Sequence, residues 1–165
     1  MQHPQRIEPG PNQESVWDYP RPPQVEACKR RVRVMFNGLV IAESTQALRV
    51  LETSHPPNIY IPPIDVLMEL FESMSQRTVC EYKGVARYWS VRVQGRCADL
   101  AAWSYPSPNR GYESLANYIS FYPARVDACY LDDELVTPQE GGFYGGWITS
   151  DIVGPFKGGE GTMLW

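Results

Sequence analysis

The segment RVLETSHPPNIYIPP, residues 49–63, gathers four side chains that could carry chemistry: Arg49, Glu52, His55 and Tyr60. His55 is the candidate acid or base, because histidine is the side chain whose unperturbed pKa lies nearest neutrality. The other of the two histidines, His3, lies near the N-terminus. Four prolines follow His55 within eight residues and stiffen its backbone, which favours a preorganised binding group. We predict a rigid loop along the rim of a pocket.

An ordinary polar loop is the alternative for the same segment. In an extended strand, Arg49 and His55 share one face and Glu52 lies on the other, so the three groups need not converge. Arg49 and Glu52 could then form a structural ion pair.

A second group of candidates lies in TVCEYKGVARYW, residues 78–89. Cys80 would be a nucleophile if Lys83 or His55 lowered the pKa of its thiol. Lys83 could bind an anionic group or form a Schiff base. The alternatives are a buried cysteine that acts as a small apolar residue and a solvated lysine.

The hairpin ARYWSVRV-QG-RCADLAAW would position an aromatic wall. If Gln94-Gly95 is a two-residue turn, residues whose numbers sum to 189 face each other, which sets Trp103 opposite Ala86. One face then gathers residues around a glycine that leaves space for a ligand: Cys80, Gly84, Tyr88, Trp103 and Tyr105. This pattern predicts a small-molecule pocket, with a second hydrophobic layer as the alternative.

Turn signals elsewhere predict a mainly β fold of antiparallel sheets with one or two short helices. Asn37-Gly38 separates two alternating apolar runs and is a strong hairpin signal, and Asp132-Asp133 is a weaker one. Segment 45–53 is interpreted as a strand. An apolar stripe predicts a helix in residues 109–123, and a short helix or an extended segment fits residues 62–76. Residues 1–14 are predicted to be a mobile tail, and residues 15–165 one domain.

Composition narrows the function classes. A net charge of −4 and a pI near 5.2 disfavour a nucleic-acid or anionic-membrane binder. We expect no membrane span, since no apolar run approaches about 20 residues. The four cysteines form no Cys-x-x-Cys pair, so no metal site is expected, and no cofactor is identified. With no signal-peptide pattern at the N-terminus, a cytoplasmic protein is the expectation.

Several blocks together resemble the family known as domain of unknown function 427. They are VWDYPRPP, LETSHPPNIYIPP, TVCEYKGVARYW, WSYP, YISFYP with VDACY, and GGFYGGWITSDIVGPFKGG. The resemblance covers about residues 15–165 and implies a fold similar to the β-tent group, which includes type B methionine sulfoxide reductases. Relatives in that group often bind zinc through paired cysteines, which this chain lacks. A nucleotidyltransferase label is attached to the family in classifications.

Three functions follow as hypotheses. The first is an unidentified small molecule bound in the aromatic pocket, with or without catalysis by His55 and Cys80. The second is an interaction module that uses exposed aromatic side chains, for partners or for self-association as a homo-oligomer: Trp17, Tyr19, Trp147 and Trp165. The third is magnesium-dependent nucleotidyl transfer, as the family label suggests.

Overall fold

The computed structural model describes residues 4–165 and is mainly β. The longer strands are β2 (Gln24–Ala27), β3 (Val32–Phe36), β4 (Leu39–Ser44), β5 (Leu48–Leu51), β6 (Asn58–Ile61), β7 (Phe71–Cys80), β8 (Gly84–Val93), β9 (Arg96–Ser104), β10 (Ile119–Phe121) and β11 (Ala128–Leu131). Two-residue strands are β1 (Glu14–Ser15), β12 (Glu134–Leu135), β13 (Thr137–Pro138), β14 (Trp147–Ile148) and β15 (Ile152–Val153). The mainly β prediction is confirmed.

Two antiparallel sheets form the body. The larger has seven strands in the order β2-β5-β6-β10-β9-β8-β7, and the smaller has four in the order β12-β11-β3-β4. Two small sheets, β1 with β15 and β13 with β14, join segments near the two chain ends. The two larger sheets share one hydrophobic core, to which Phe36 and Ile41 of the smaller sheet and Phe121 of the larger contribute.

The seven-stranded sheet is hydrophobic on both faces. Because successive side chains of a strand point to opposite faces, Ile59 and Ile61 enter the core shared with the smaller sheet, and Tyr60 joins a separate cluster. Likewise, Ala102 enters the shared core and Trp103 joins the separate cluster. The second cluster is rich in tyrosine and holds the candidate site.

All three predicted hairpins form. Phe36 pairs with Leu39 across Asn37-Gly38, Val93 with Arg96 across Gln94-Gly95, and Leu131 with Glu134 across Asp132-Asp133. Asn37, Gln94 and Asp132 have positive φ values of 50°, 47° and 53°, as tight hairpin turns require. The strand predicted in segment 45–53 is β5.

A bulge alters the register of the second hairpin. Val91 pairs with Ala98, as the two-residue turn predicts, but Trp89 pairs with Ala102, so β9 carries two extra residues. Leu100 has a φ of 50° there, and its N–H donates to Ser90 Oγ at 3.0 Å. Trp103 therefore pairs with Tyr88, and the predicted pairing with Ala86 is wrong. Because two is an even number, the residues beyond the bulge keep their predicted faces, and Trp103 stays on the predicted aromatic face.

The helix predicted in residues 109–123 is wrong. The segment contains a 3₁₀ turn, Glu113–Leu115, and the central strand β10. The turn ends at Ala116, whose ψ of 120° is not helical, and Asn117 follows with a φ of 64°. Ser120 then pairs with both Tyr60 and Trp103, so the surrounding sheet satisfies its backbone instead of helical hydrogen bonds. Tyr112, Leu115 and Ile119 are buried nonetheless.

Residues 62–76 contain two 3₁₀ turns, Pro63–Asp65 and Met68–Leu70, followed by β7. The other two 3₁₀ turns of the described chain are Val16–Asp18 and Pro123–Arg125. The short helices that the sequence indicates are therefore single turns.

The N-terminal segment lies against the body over much of its length. The Ile7 N–H donates to the Gly154 carbonyl at 3.2 Å, and Arg6 pairs with Asp18. Tyr19 is buried, and so is Trp147, with no exposed surface. These two aromatics therefore cannot belong to the exposed surface expected from the sequence. His3 lies outside the described residues.

Candidate functional site

A cavity of about 250 Å³ lies on the face of the seven-stranded sheet that points away from the shared core. The predicted site residues that line it are Glu52, His55, Tyr60, Cys80, Lys83, Tyr88, Trp103 and Tyr105. They come from β6, β7, β8, β9 and the turns beside them. The sheet thus brings together the proline-rich segment and the second hairpin, which are distant in the sequence.

The wall of the cavity is an interlocked aromatic cluster. Trp103 Nε1 donates to Tyr60 Oη at 3.1 Å, and the two rings meet edge to face with centroids 6.2 Å apart. Trp103 also packs against Tyr122 with a centroid distance of 4.6 Å. Tyr88 Oη and Thr78 Oγ1 are hydrogen-bonded at 2.9 Å. These contacts fix the rings in place, as a preformed binding surface requires.

The phenols of Tyr60 and Tyr105 are neutral at physiological pH. Burial raises the pKa of Tyr60 and of Tyr105 well above the ordinary value. The wall therefore offers flat apolar surface and uncharged hydroxyl groups.

A tight turn brings Glu52 and His55 together at the rim. Ser54 has a φ of 74°, and the His55 N–H donates to the Glu52 carbonyl at 3.0 Å. Glu52 Oε2 then lies 3.7 Å from His55 Nε2. An extended strand would separate these two side chains, so this expectation from the sequence is wrong.

Gln139 sets the tautomer of His55. Its Nε2 donates to the Lys157 carbonyl at 2.6 Å and lies 3.3 Å from His55 Nδ1, and its Oε1 accepts from the Gly146 N–H at 3.0 Å. Since the amide nitrogen can only donate, His55 Nδ1 accepts and Nε2 carries the proton, on the side of Glu52. Sequence reasoning did not find Gln139.

His55 is uncharged at neutral pH. Burial lowers the pKa of its imidazole to about 3, and the positive charges of Lys157, Arg21 and Lys83 act in the same direction. A neutral imidazole can donate and accept hydrogen bonds, but with this pKa it is a weak base at pH 7.

Lys83 and Cys80 also line the cavity. Lys83 is only 6% exposed, and its Nζ lies 5.9 Å from the centre of the Tyr105 ring. Burial by itself lowers the pKa of Lys83, but Tyr105, Cys80 and Glu52 outweigh it, so the pKa is raised. The lysine is therefore protonated at neutral pH, which disfavours Schiff-base chemistry.

Two predicted residues lie elsewhere. Arg49 pairs with Glu14 and Glu26, at 2.6 Å and 2.5 Å, beside a different cavity of about 240 Å³. Gly84 pairs with Cys80 beside the turn between β7 and β8 and has a φ of 116°. Its lack of a side chain therefore serves the backbone conformation of the turn.

The C-terminal segment supplies the part of the site that the sequence did not indicate. Tyr144, Gly145 and Lys157 line the cavity, and the Tyr144 ring packs on His55 with a centroid distance of 4.9 Å. Gly145 lies against the Trp103 ring so closely that a Cβ there would overlap it. The glycines of GGFYGG, residues 141–146, are the one sequence feature that permits this close approach.

Replacing Gly145 by alanine should lower the free energy of unfolding by about 1–3 kcal/mol, the usual range for overpacking. The added methyl group would overlap Trp103 and would lie 3.1 Å from Tyr122 Cδ1. Urea unfolding followed by circular dichroism measures the change. Gly142→Ala is the matched control, because nothing lies within 4 Å of a Cβ at that position. Equal effects of the two substitutions would contradict the close approach.

Fold and site together define a mainly β protein with an aromatic-walled cavity on the outer face of its larger sheet. A family described as a domain of unknown function, DUF427, matches residues 24–132, and the chain belongs to this family. The match includes the wall from Tyr60 to Tyr122 and ends before Tyr144 and Lys157. No curated protein matches the chain.

Two further observations concern residues 4–165. No three His, Cys, Asp or Glu side chains of this part of the chain cluster in a way that could hold a metal ion. None of its helices is long and apolar enough to cross a membrane.

Proposed function

We propose that this protein binds a small molecule in the aromatic-walled cavity. The observation that carries the proposal is the convergence of Glu52, His55 and Lys83, each largely buried, on one cavity beside the Trp103 wall. Concave apolar sites with a few convergent polar groups are the usual form of ligand pockets. The cavity lies slightly below the range of about 300–1,000 Å³ that is typical of drug-sized ligands, so the ligand is small.

Thermal stability against a metabolite and nucleotide panel tests the proposal. A ligand that binds the native state raises the free energy of unfolding by mass action, by about 2.7 kcal/mol at one hundred times its Kd, and so raises the thermal midpoint. We expect a hit whose effect disappears in a Trp103→Ala, Tyr105→Ala variant that still folds. A Trp17→Ala variant serves as control, because Trp17 packs with Trp165 away from the cavity. Hits that persist in the wall variant would contradict the proposal.

Catalysis in the same cavity would use Cys80 as the nucleophile. Support for this role is that Cys80 is a free cysteine and lines the cavity together with the buried Lys83. His55 would orient a substrate by donating a hydrogen bond from Nε2 rather than act as a strong base.

The interaction module and nucleotidyl transfer are the rival functions. Partner binding by aromatics would rely on Trp17 and Trp165, because Tyr19 and Trp147 are buried. A panel without hits would favour this function, and homo-oligomerisation would then appear as a concentration-dependent size. Nucleotidyl transfer requires a heat of binding with a nucleoside triphosphate and Mg²⁺.

All four cysteines are free thiols, which supports a reducing compartment such as the cytoplasm.

A further inference from the structure

We propose that the ligand of this cavity is an organic anion: a carboxylate or phosphate monoester on a small flat body, held by Lys83 and Lys157. This inference rests on the proposed function and adds the charge and shape of the ligand. Its basis is that neither lysine lining the cavity has an ion-pair partner among residues 4–165, whereas one lining carboxylate is paired with an arginine and the other is exposed.

Lys83 is the central observation. Its side chain is buried and lines the cavity, yet no carboxylate among residues 4–165 lies within ion-pair distance of its Nζ. Removing an ammonium from water without a counter-charge is unfavourable. The cation–π contact with Tyr105 offsets only part of this penalty. An anion bound in the cavity would supply the missing partner.

Lys157 adds a second cation to the lining of the cavity. Its Nζ lies 5.6 Å from the centre of the Tyr144 ring, and like Lys83 it has no salt bridge within the described chain. Both lysines raise the electrostatic potential at His55, which agrees with the imidazole being neutral. The two ammonium groups thus both contribute positive potential to the same cavity.

The negative charges that line the cavity do not neutralise these lysines. Glu52 is paired with Arg21 at 3.5 Å, and Glu81 is exposed to solvent at the rim. The wall tyrosines Tyr60 and Tyr105 stay protonated. The lysines and glutamates of the lining balance in number, but neither lysine has a direct counter-charge in the cavity among the described residues.

The wall sets the shape of the ligand. The edges and faces of Trp103, Tyr122 and Tyr60 present flat apolar surface, which favours an unsaturated or aromatic body. The volume of about 250 Å³ accommodates one ring with its acidic group and short substituents. The Nε2–H of His55 can donate a hydrogen bond to a polar substituent, and the Tyr88 hydroxyl, which is bonded to Thr78, can make one more.

Three isosteric probes test the charge directly: benzoate, benzamide and benzamidine. Quenching of tryptophan fluorescence or ligand-observed NMR gives a Kd for each with the full chain. We expect benzoate to bind at least tenfold more tightly than benzamide, and benzamidine to bind most weakly, because a hydrogen bond to a charged group outweighs a neutral one. Phenyl phosphate, run beside benzoate, distinguishes the phosphate monoester from the carboxylate.

Lys83→Met tests the assignment, because methionine keeps an unbranched apolar stem and removes the charge. The variant should lose the tenfold preference for benzoate and bind benzamide within twofold of the wild type. Lys29→Met is the matched control, since Lys29 is exposed and lines no part of this cavity. An unchanged preference in Lys83→Met would overturn the role of Lys83.

Other outcomes separate the two proposals. Benzamide or benzamidine binding as tightly as benzoate to the wild type would overturn the anionic ligand and leave the pocket standing, whether or not Lys83→Met folds. A concentration of 10 mM is about the Kd of a very weakly bound fragment. If no probe binds at that concentration and the metabolite panel also gives no hit, both proposals fail.

Discussion

Replacing Trp147 by alanine is expected to lower the free energy of unfolding by about 3–5 kcal/mol. The Trp147 ring is completely buried in the core between the two sheets, and its Nε1 donates to the Phe121 carbonyl at 3.0 Å. Alanine would leave a large cavity and an unpaired carbonyl. For a domain of this size we expect the melting midpoint to fall by roughly 6–20 °C.

The same substitution should also disturb the candidate site, because Trp147 anchors the segment that carries Tyr144 and Gly145. Urea unfolding followed by circular dichroism gives the stability change without relying on tryptophan fluorescence. Phe143→Ala is the control in the same segment, since Phe143 is 68% exposed and should change stability by less than about 0.5 kcal/mol. Similar losses in the two variants would mean that Trp147 does not anchor the segment.

The sequence was informative about local pairing. Hairpin turns at Asn37-Gly38, Gln94-Gly95 and Asp132-Asp133 follow from residues that tolerate positive φ, and alternation then assigns faces. The aromatic face of the second hairpin was predictable even though the bulge near Leu100 was not. The bulge adds an even number of residues, so Tyr88 and Trp103 stay on one face, while Leu100 and Ala101 inside the bulge break the alternation.

Other features depend on contacts with distant parts of the chain and could not be predicted from local sequence patterns. The spacing of Tyr112, Leu115 and Ile119 fits a helix, yet Ile119 begins a strand because two neighbouring strands offer hydrogen bonds on both sides of β10. Such tertiary pairing outweighs local periodicity. Likewise, Tyr144 and Lys157 reach the cavity through a segment whose glycines allow close contact but carry no periodic pattern.

The rim shows how one residue can change a prediction about chemistry. Extended geometry separates Glu52 from His55, but the positive φ of Ser54 turns the chain and brings the two side chains within 3.7 Å. A serine in this conformation is uncommon and has no clear sequence signal. Conversely, Arg49 stays in a regular strand, and its partners Glu14 and Glu26 lie away from the cavity.

Replacing His55 by glutamine is expected to make the protein less sensitive to mild acid, by about 2 kcal/mol at pH 5. The pKa of His55 is about 3 in the folded protein and about 6.5 in an unfolded chain. Below pH 6.5 the unfolded chain therefore binds a proton that the folded protein does not. His55 thus reduces stability as the pH falls from about 6.5 toward 3, and has no such effect above that window.

The charged groups around His55 favour the lowered pKa of its imidazole. Lys157, Arg21 and Lys83 place three positive charges near the imidazole, against the single carboxylate of Glu52. Burial acts in the same sense, since the His55 side chain is only 13% exposed. Glutamine can still accept the hydrogen bond from Gln139 but does not titrate, so it removes the proton equilibrium while keeping a polar group.

Urea unfolding of the wild type and His55→Gln at pH 7 and pH 5 measures the difference. Protonation of carboxylates elsewhere affects both proteins alike and cancels in the comparison. Equal pH dependence of the two proteins would contradict the prediction, as would an imidazole NMR titration with a midpoint near 6.5. Either result would mean that the cavity tolerates a third positive charge beside its two lysines. The space around His55 would then have to be more solvated than its burial implies, which would weaken the electrostatic argument for an anionic ligand as well.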